Sequence, residues 1–473
     1  MLPSFPPHPS EPAMTGLNRT HDPKLTSWLE SAEDPNTDFP IQNLPICSFS
    51  TGESPDDAND AEVGFAIGDR VLSLARCLDA GLFDDLIDGD ENGQAAFEVA
   101  TADASVLGLF PPETLSALRG RLIDILESAA IKAKHGKKAK DSLLKQSDIK
   151  FLTPVVVTNY TDFYASLDHA TTVGSMFRPD NPILPNYKHV PIGYHGRASS
   201  IVPSGTTIRR PSGQQSPPDD NPAAGPSFGP CKLLDYELEV GAVISRENAL
   251  GEPISIAEAE SHILGLCLVN DWSARDIQKW EYQPLGPFLA KNFATTVSPF
   301  IVTMEALRPF RCPGSPRGPQ DPATLPYLTS QSNKDRGGFA ITLEVTMRTA
   351  AMVKAGDKPI RVSRADFSRM YWTFAQMVTH HASGGCNLQA GDLLASGTVS
   401  GQTPDSRGCL LEATWAGIDP SNQKPRPRNA IEFPTGERRT FLQDGDEVVI
   451  RGSCHRDGFR SIGFGECSGT ISG

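Results

Sequence analysis

From residue 151 onward the apolar residues of this chain fall into short runs rich in valine, isoleucine and leucine, separated by glycine, proline and polar clusters. Pro154-Val155-Val156-Val157, Ser200-Ile201-Val202, Leu233-Leu234-Asp235-Tyr236-Glu237-Leu238-Glu239-Val240, Ile341-Thr342-Leu343-Glu344-Val345-Thr346-Met347, Leu410-Leu411-Glu412-Ala413-Thr414-Trp415 and Glu447-Val448-Val449-Ile450 each have strand length and strand composition. Such segments bury a face only by pairing, so they predict one large β-rich unit. Ahead of it, Val63-Gly64-Phe65-Ala66-Ile67 and Arg70-Val71-Leu72-Ser73-Leu74 flank a Gly-Asp turn and predict a hairpin. Pro111-Pro112-Glu113-Thr114 opens a helix whose stripe is Leu115, Leu118, Leu122, Ile125 and Leu126. The expected organisation is a proline-rich, disordered extension over 1–27, a small mixed unit over 28–148 and a large β-rich unit over 149–473. The fold class is mixed and β-rich (α+β).

Three stretches, 211–230, 311–338 and 419–438, are rich in Pro, Gly, Ser and charge and read as surface loops. The basic run of Lys132, Lys134, Lys137, Lys138, Lys140 and Lys145 reads as a solvated helix end or linker. A formal net charge of −14 over 473 residues argues against a nucleic-acid partner. Nine scattered cysteines without a CxxC pair fit reduced thiols and a cytoplasmic protein. No run reaches the roughly eighteen apolar residues of a membrane helix.

Within 233–240, Glu237 and Glu239 stand two residues apart, so an extended chain sends both carboxylates to one face. Asp271 lies between apolar 266–269 and Trp272, where an unpaired charge is costly to bury. A hard cation such as Ca²⁺ or Mg²⁺ reconciles the three acids; an exposed acidic strand face is the other reading. His169 follows Asn159-Tyr160-Thr161-Asp162-Phe163-Tyr164-Ala165-Ser166-Leu167-Asp168, a dense polar and aromatic run, and is either a base or a structural histidine. The adjacent His380 and His381 lack the one-turn spacing that places two rings on one metal. Arg275, Gln278 and Tyr282 follow one another at helical steps of three and four, with Trp272 and Trp280 as expected core anchors.

Several co-linear segments carry a resemblance: Asp38-Phe39-Pro40-Ile41-Gln42-Asn43-Leu44-Pro45, residues 160–169, Pro191-Ile192-Gly193-Tyr194-His195-Gly196-Arg197-Ala198-Ser199-Ser200, residues 270–282, Pro284-Leu285-Gly286-Pro287-Phe288 and Gly397-Thr398-Val399-Ser400-Gly401. From about residue 28 to the C-terminus the chain resembles the fumarylacetoacetate hydrolase family. The resemblance implies cleavage of 4-fumarylacetoacetate, a β-diketo acid, into fumarate and acetoacetate, the last step of tyrosine breakdown. It implies a homodimer, with a small SH3-like barrel domain before a β-roll catalytic domain. Asp162, Glu237, Glu239 and Asp271 would surround a divalent cation, Ca²⁺ by resemblance. A Mg²⁺ position would fall on Asp271, Lys291 and Thr295, with Lys291 giving charge or its carbonyl, because an ammonium is no ligand. His169 would be the base, with Glu412 accepting its other N–H; Arg275, Gln278 and Lys291 would stabilise the alkoxide. Tyr164, Arg178, Tyr194, Tyr282 and Thr398 would touch substrate. The rival expectations are another carbon–carbon hydrolase or hydratase of the same superfamily, such as an acylpyruvase, and a non-enzymatic Ca²⁺-binding scaffold.

Overall fold

A computed structural model describes residues 16–52, 61–84, 100–101, 103–109, 112–129, 134–218, 221–422 and 424–473. Its principal element is a 13-stranded sheet. The main path runs through strands Leu143–Lys145, Arg70–Ser73, Ala61–Ile67, Ile46–Ser50, Phe300–Thr303, Ile263–Asp271, Leu238–Ile244, Leu393–Ala395, Tyr160–Phe163 and Gly193–Gly196. The path is open, with no closed barrel among the described residues. Strands from both halves of the chain share it, because Ile46 and Cys47 pair with Ile301 and Phe300.

The two central strands, Leu238–Ile244 and Ile263–Asp271, are buried along their whole length. That is why their sequences run nearly continuously apolar instead of alternating. A second sheet of five strands is built around Ile341–Arg348 and Glu447–Cys454. Ile341–Arg348 buries every second residue, so this sheet presents one face to the core and one outward. The expected hairpin forms with Gly68 at its turn at φ 52°, a left-handed conformation that glycine adopts without a Cβ penalty. The expected helix spans Pro112–Leu126 and buries Leu118, Leu122, Ile125 and Leu126.

Several expectations are corrected. Residues 154–157 form no strand: Pro154 has no N–H to donate, and Val156 stands 68% exposed. Leu410–Ala413 is a short helix, because the Asp235 carboxylate accepts Leu410 N–H at 2.7 Å and Leu411 N–H at 2.9 Å and so caps its first turn. Trp272 is fully buried, but Trp280 is 42% exposed and hydrogen-bonds Gln214 Oε1, so only the first anchors the core. The ordered chain starts ahead of residue 28: Thr20, His21 and Ser27 are buried, and His21 Nε2 bonds the Glu305 carbonyl at 2.9 Å. Residues 1–15, with His8, lie outside the described residues, as does Lys132. The three loops are more than solvated connections, since Ser212–Gln215 pairs with Ser227–Pro230, Leu328 is wholly buried and Phe433 is buried. All nine cysteines are free. Among the described residues, no helix is long and apolar enough to cross a membrane.

Candidate active site

Sheet register assembles the acids. Leu238–Ile244 pairs with Ile263–Asp271 so that Leu238 faces Asn270, and Asp271 in turn faces Thr295. On the other flank Tyr160–Phe163 runs parallel to Leu393–Ala395, with Asp162 opposite Tyr194 on the following strand. One oxygen from each of Asp162, Glu237, Glu239 and Asp271 therefore lies within 4.8 Å of the others, and all four residues are buried. The run 233–240 is not one continuous strand, because it breaks at Tyr236 and Glu237. Glu237 nevertheless keeps its place beside Glu239, with its N–H donating to Asn270 Oδ1 at 3.1 Å.

Lys291 and Arg275 are the cations facing this cluster. Lys291 Nζ lies 2.5 Å from Asp271 Oδ2 and 2.9 Å from Glu237 Oε2. Arg275 NH1 lies 2.6 Å from Glu237 Oε1, and its Nε donates to Asp235 Oδ2 at 3.0 Å. Tyr194 O–H and Thr295 O–H donate to the two oxygens of Asp271 at 2.8 and 3.0 Å, and Gly397 N–H donates to Asp162 at 3.1 Å. Glu239 is left over: both its oxygens are buried without a hydrogen-bond partner.

The pKa shifts follow this division. Burial pushes Glu237 up, but Lys291, Arg275 and His169 outweigh it and hold the carboxyl well below its usual range. Burial, then the surrounding carboxylates, push Glu239 well up; Asp162 rises for the same two reasons, with Asp271 its leading neighbour. Burial opposes the Lys291 ammonium, yet Asp271, Glu237 and Asp162 raise its pKa and keep it charged. Unpartnered oxygens, mutual repulsion and an all-carboxylate donor set fit a hard divalent cation. The four acids would hold it. Lys291 contributes charge as an ion-pair donor.

His169 is held separately. Ser166 caps the helix Leu167–Phe177, accepting His169 N–H at 3.2 Å, and so fixes His169 in the first turn. His169 Nδ1 lies 2.6 Å from Glu412 Oε2, and Ser400 O–H donates to the same oxygen at 2.6 Å. Burial pushes Glu412 up, but His169, Ser400 and Cys409 reverse this and hold it below its ordinary range. A carboxylate that stays ionised at Nδ1 makes that nitrogen the N–H donor and leaves the Nε2 lone pair free. His169 also lies close enough to Glu237 to lower its pKa, so the dyad and the acid cluster form one site.

Of the remaining expected residues, Tyr164, Thr398 and Gln278 border this site, while Tyr282 and Arg178 stand at the ends of the two helices that lead away from it. The ring of Tyr164 stands edge-on to His169 at 5.2 Å. Thr398 Oγ1 is buried without a partner, next to Gly397, whose φ of 75° and close approach to the Phe163 carbonyl exclude a side chain. Gln278 Oε1 accepts from Arg275 NH1 at 3.1 Å, one helical turn away. Tyr282 ends that helix and packs at 6.2 Å against Phe177, the last residue of the His169 helix. Arg178 follows Phe177; its NH2 donates to the Pro182 carbonyl at 3.2 Å, while its Nε is buried without a partner.

Asp235 went unnoticed in the sequence. It is fully buried, grips Arg275 and caps the helix carrying Glu412, so one carboxylate aligns both halves of the site. The available signal was the two-residue step through Asp235, Glu237 and Glu239. Ser400 was also missed, although it lies inside a segment that carried the resemblance.

Two family descriptions match this chain: fumarylacetoacetase N-terminal over residues 42–154 and fumarylacetoacetate (FAA) hydrolase C-terminal over 158–472. The chain belongs to the fumarylacetoacetate hydrolase family. It is 44% identical over 461 residues to the fumarylacetoacetase of Bos taurus, 45% over 451 to that of Dictyostelium discoideum and 44% over 458 to that of Homo sapiens. Each alignment covers 94% of this chain and 98% of the relative.

Proposed function

We propose that this chain hydrolyses 4-fumarylacetoacetate to fumarate and acetoacetate, as the closing step of tyrosine and phenylalanine breakdown. The observation that carries the reading is the His169–Glu412 dyad set beside four buried carboxylates that lack enough cations of their own. Near-full-length likeness to fumarylacetoacetases supports the substrate.

The reaction breaks a carbon–carbon bond next to a carbonyl, so a water must lose a proton and a carbanion must leave as an enolate. His169 Nε2 takes the proton of the attacking water, and Glu412 holds Nδ1–H and favours the imidazolium that forms. Arg275, Gln278 and Lys291 supply donors for the developing alkoxide, preorganised because Asp235 and Glu237 already fix the guanidinium. A bound divalent cation supplies Lewis-acid stabilisation of the diketone oxygens and of the enolate. Ca²⁺ on the four acids is our assignment, with a Mg²⁺ position at Asp271, Lys291 and Thr295. The orphaned Nε of Arg178 suits a substrate carboxylate, and Tyr164, Tyr194, Tyr282 and Thr398 line the remainder.

We read residues 28–148 as an SH3-like unit and 149–473 as the β-roll catalytic unit, a division supported by the separate family matches. The protein acts as a cytoplasmic homodimer in this reading; nine free cysteines support the compartment. Incubation of the cation-loaded protein with fumarylacetoacetate should release both acids in equal amounts. Faster turnover of an acylpyruvate would reassign the substrate.

A further inference from the structure

Beside the catalytic base lies a second set of ligand atoms of a different chemical kind. Cys409 Sγ is 3.3 Å from Glu412 Oε2, which is 2.6 Å from His169 Nδ1. Sulfur, nitrogen and oxygen all lie within 4.8 Å of one another, and all three residues are buried. Glu412 Oε1 is also buried without a hydrogen-bond partner; the nearest cation, Arg407 NH1, stands 3.7 Å away. The acid cluster offers only hard oxygens, whereas a thiolate, an imidazole and a carboxylate make a ligand set for a borderline-soft ion such as Zn²⁺.

We propose that His169, Cys409 and Glu412 form an inhibitory site for zinc-like divalent ions, distinct from the hard-cation site on the four acids. The charge balance favours it. In the resting protein Cys409 stands as an S–H donor to Glu412 Oε2. An incoming M²⁺ displaces that proton to solvent, and the thiolate and Glu412 together neutralise the ion, leaving a buried complex without net charge. Ser400 Oγ, 2.6 Å from Glu412 Oε2, or a water completes a tetrahedron.

Inhibition follows from the tautomer. In the dyad, Nδ1 carries the proton and Nε2 the lone pair. On the metal, the Nδ1 lone pair is committed and the ring proton passes through solvent to Nε2, so no lone pair remains for the attacking water. The arrest needs no change in the fold or in the acid cluster.

The test titrates zinc sulfate into the full-length protein under saturating Ca²⁺ or Mg²⁺, comparing wild type with Cys409→Ser. Serine keeps a donor to Glu412 and is a favoured N-cap for the helix it precedes, so the variant should fold; its inhibition is read against its own zinc-free rate, and its cobalt spectrum needs no turnover. Zinc should inhibit wild type reversibly, with activity restored by 1,10-phenanthroline. The variant should need roughly tenfold more zinc or above for half-inhibition. Cobalt(II) should give wild type a thiolate-to-cobalt charge-transfer band that Cys409→Ser lacks. The inhibition rests on His169 being the base, but the band does not, so a band without inhibition would overturn the assigned base and keep the site. Equal zinc sensitivity of both proteins, or no cobalt–thiolate band in wild type, would overturn the site.

Discussion

Glu239 and Asp446 are both carboxylates with no exposed surface, yet their surroundings are opposite. Arg439 grips Asp446 through two hydrogen bonds of 2.8 and 3.0 Å, and Gln443 N–H adds a third at 2.8 Å. Glu239 has no donor at either oxygen and faces Asp162, Glu237 and Asp271. The first arrangement is a closed account typical of buried charges, which are paired wherever the fold alone decides. The second leaves a requirement that only something outside the chain can meet. A buried charge that the fold does not satisfy marks the place where the molecule works.

Substitutions can sharpen that contrast. The largest effect should come from His169→Ala, which removes the base while leaving the four-carboxylate cluster in place: kcat should fall by about a thousandfold, with cation binding by the acid cluster retained. A variant that kept its turnover would separate the acid cluster from catalysis. Next, Asp446→Asn should cost on the order of 2–3 kcal/mol in denaturant unfolding, because buried Arg439 would lose its two bonds to Asp446 and keep only Glu437 as a charged partner. Glu239→Gln should do the reverse in chelator, raising the melting temperature of the cation-free protein by removing one of the repelling charges. The same change should weaken cation binding on the order of 10- to 100-fold by calorimetry. Should both variants destabilise alike, the contrast between the two carboxylates would collapse. Arg178→Met should raise KM by roughly tenfold through loss of one charged hydrogen-bonding group, without altering cation affinity.

The smallest effect is on pH dependence. Asp162 and Glu239 sit above their ordinary values of 3.8 and 4.5 in the folded chain. Between the ordinary and the raised values the folded state holds more protons than the unfolded one. These two groups should therefore add stability to the cation-free protein as pH falls through their raised values, an interval above the ordinary values in which the depressed Glu237 and Glu412 are ionised in both states and add no slope. A bound cation must displace those protons, so its affinity should fall over the same interval. Melting curves in chelator and binding isotherms at stepped pH read the two trends, which must run in opposite directions.

Much of this was legible in the chain. The two-residue step from Glu237 to Glu239 announced a shared face, and Asp271 at the end of an apolar run announced a charge with no water beside it. The helix carrying Leu118, Leu122 and Ile125 was readable from its period alone. The failures have a common origin. Leu410–Ala413 has strand-like composition, but a carboxylate 175 residues earlier caps it into a helix. Trp280 lies one turn after buried Ile277, yet its indole N–H reaches Gln214 at the surface and the ring stays 42% exposed.

The sequence by itself determined the chemical inventory and the local facing of side chains, because strand and helix periods are properties of adjacent residues. The tertiary structure alone decided that Asp235 would hold Arg275 and the Glu412 helix together, that Glu412 would meet His169, and that Glu239 would have no donor. Those distances depend on sheet register and on how segments hundreds of residues apart stack. No period along the chain encodes that.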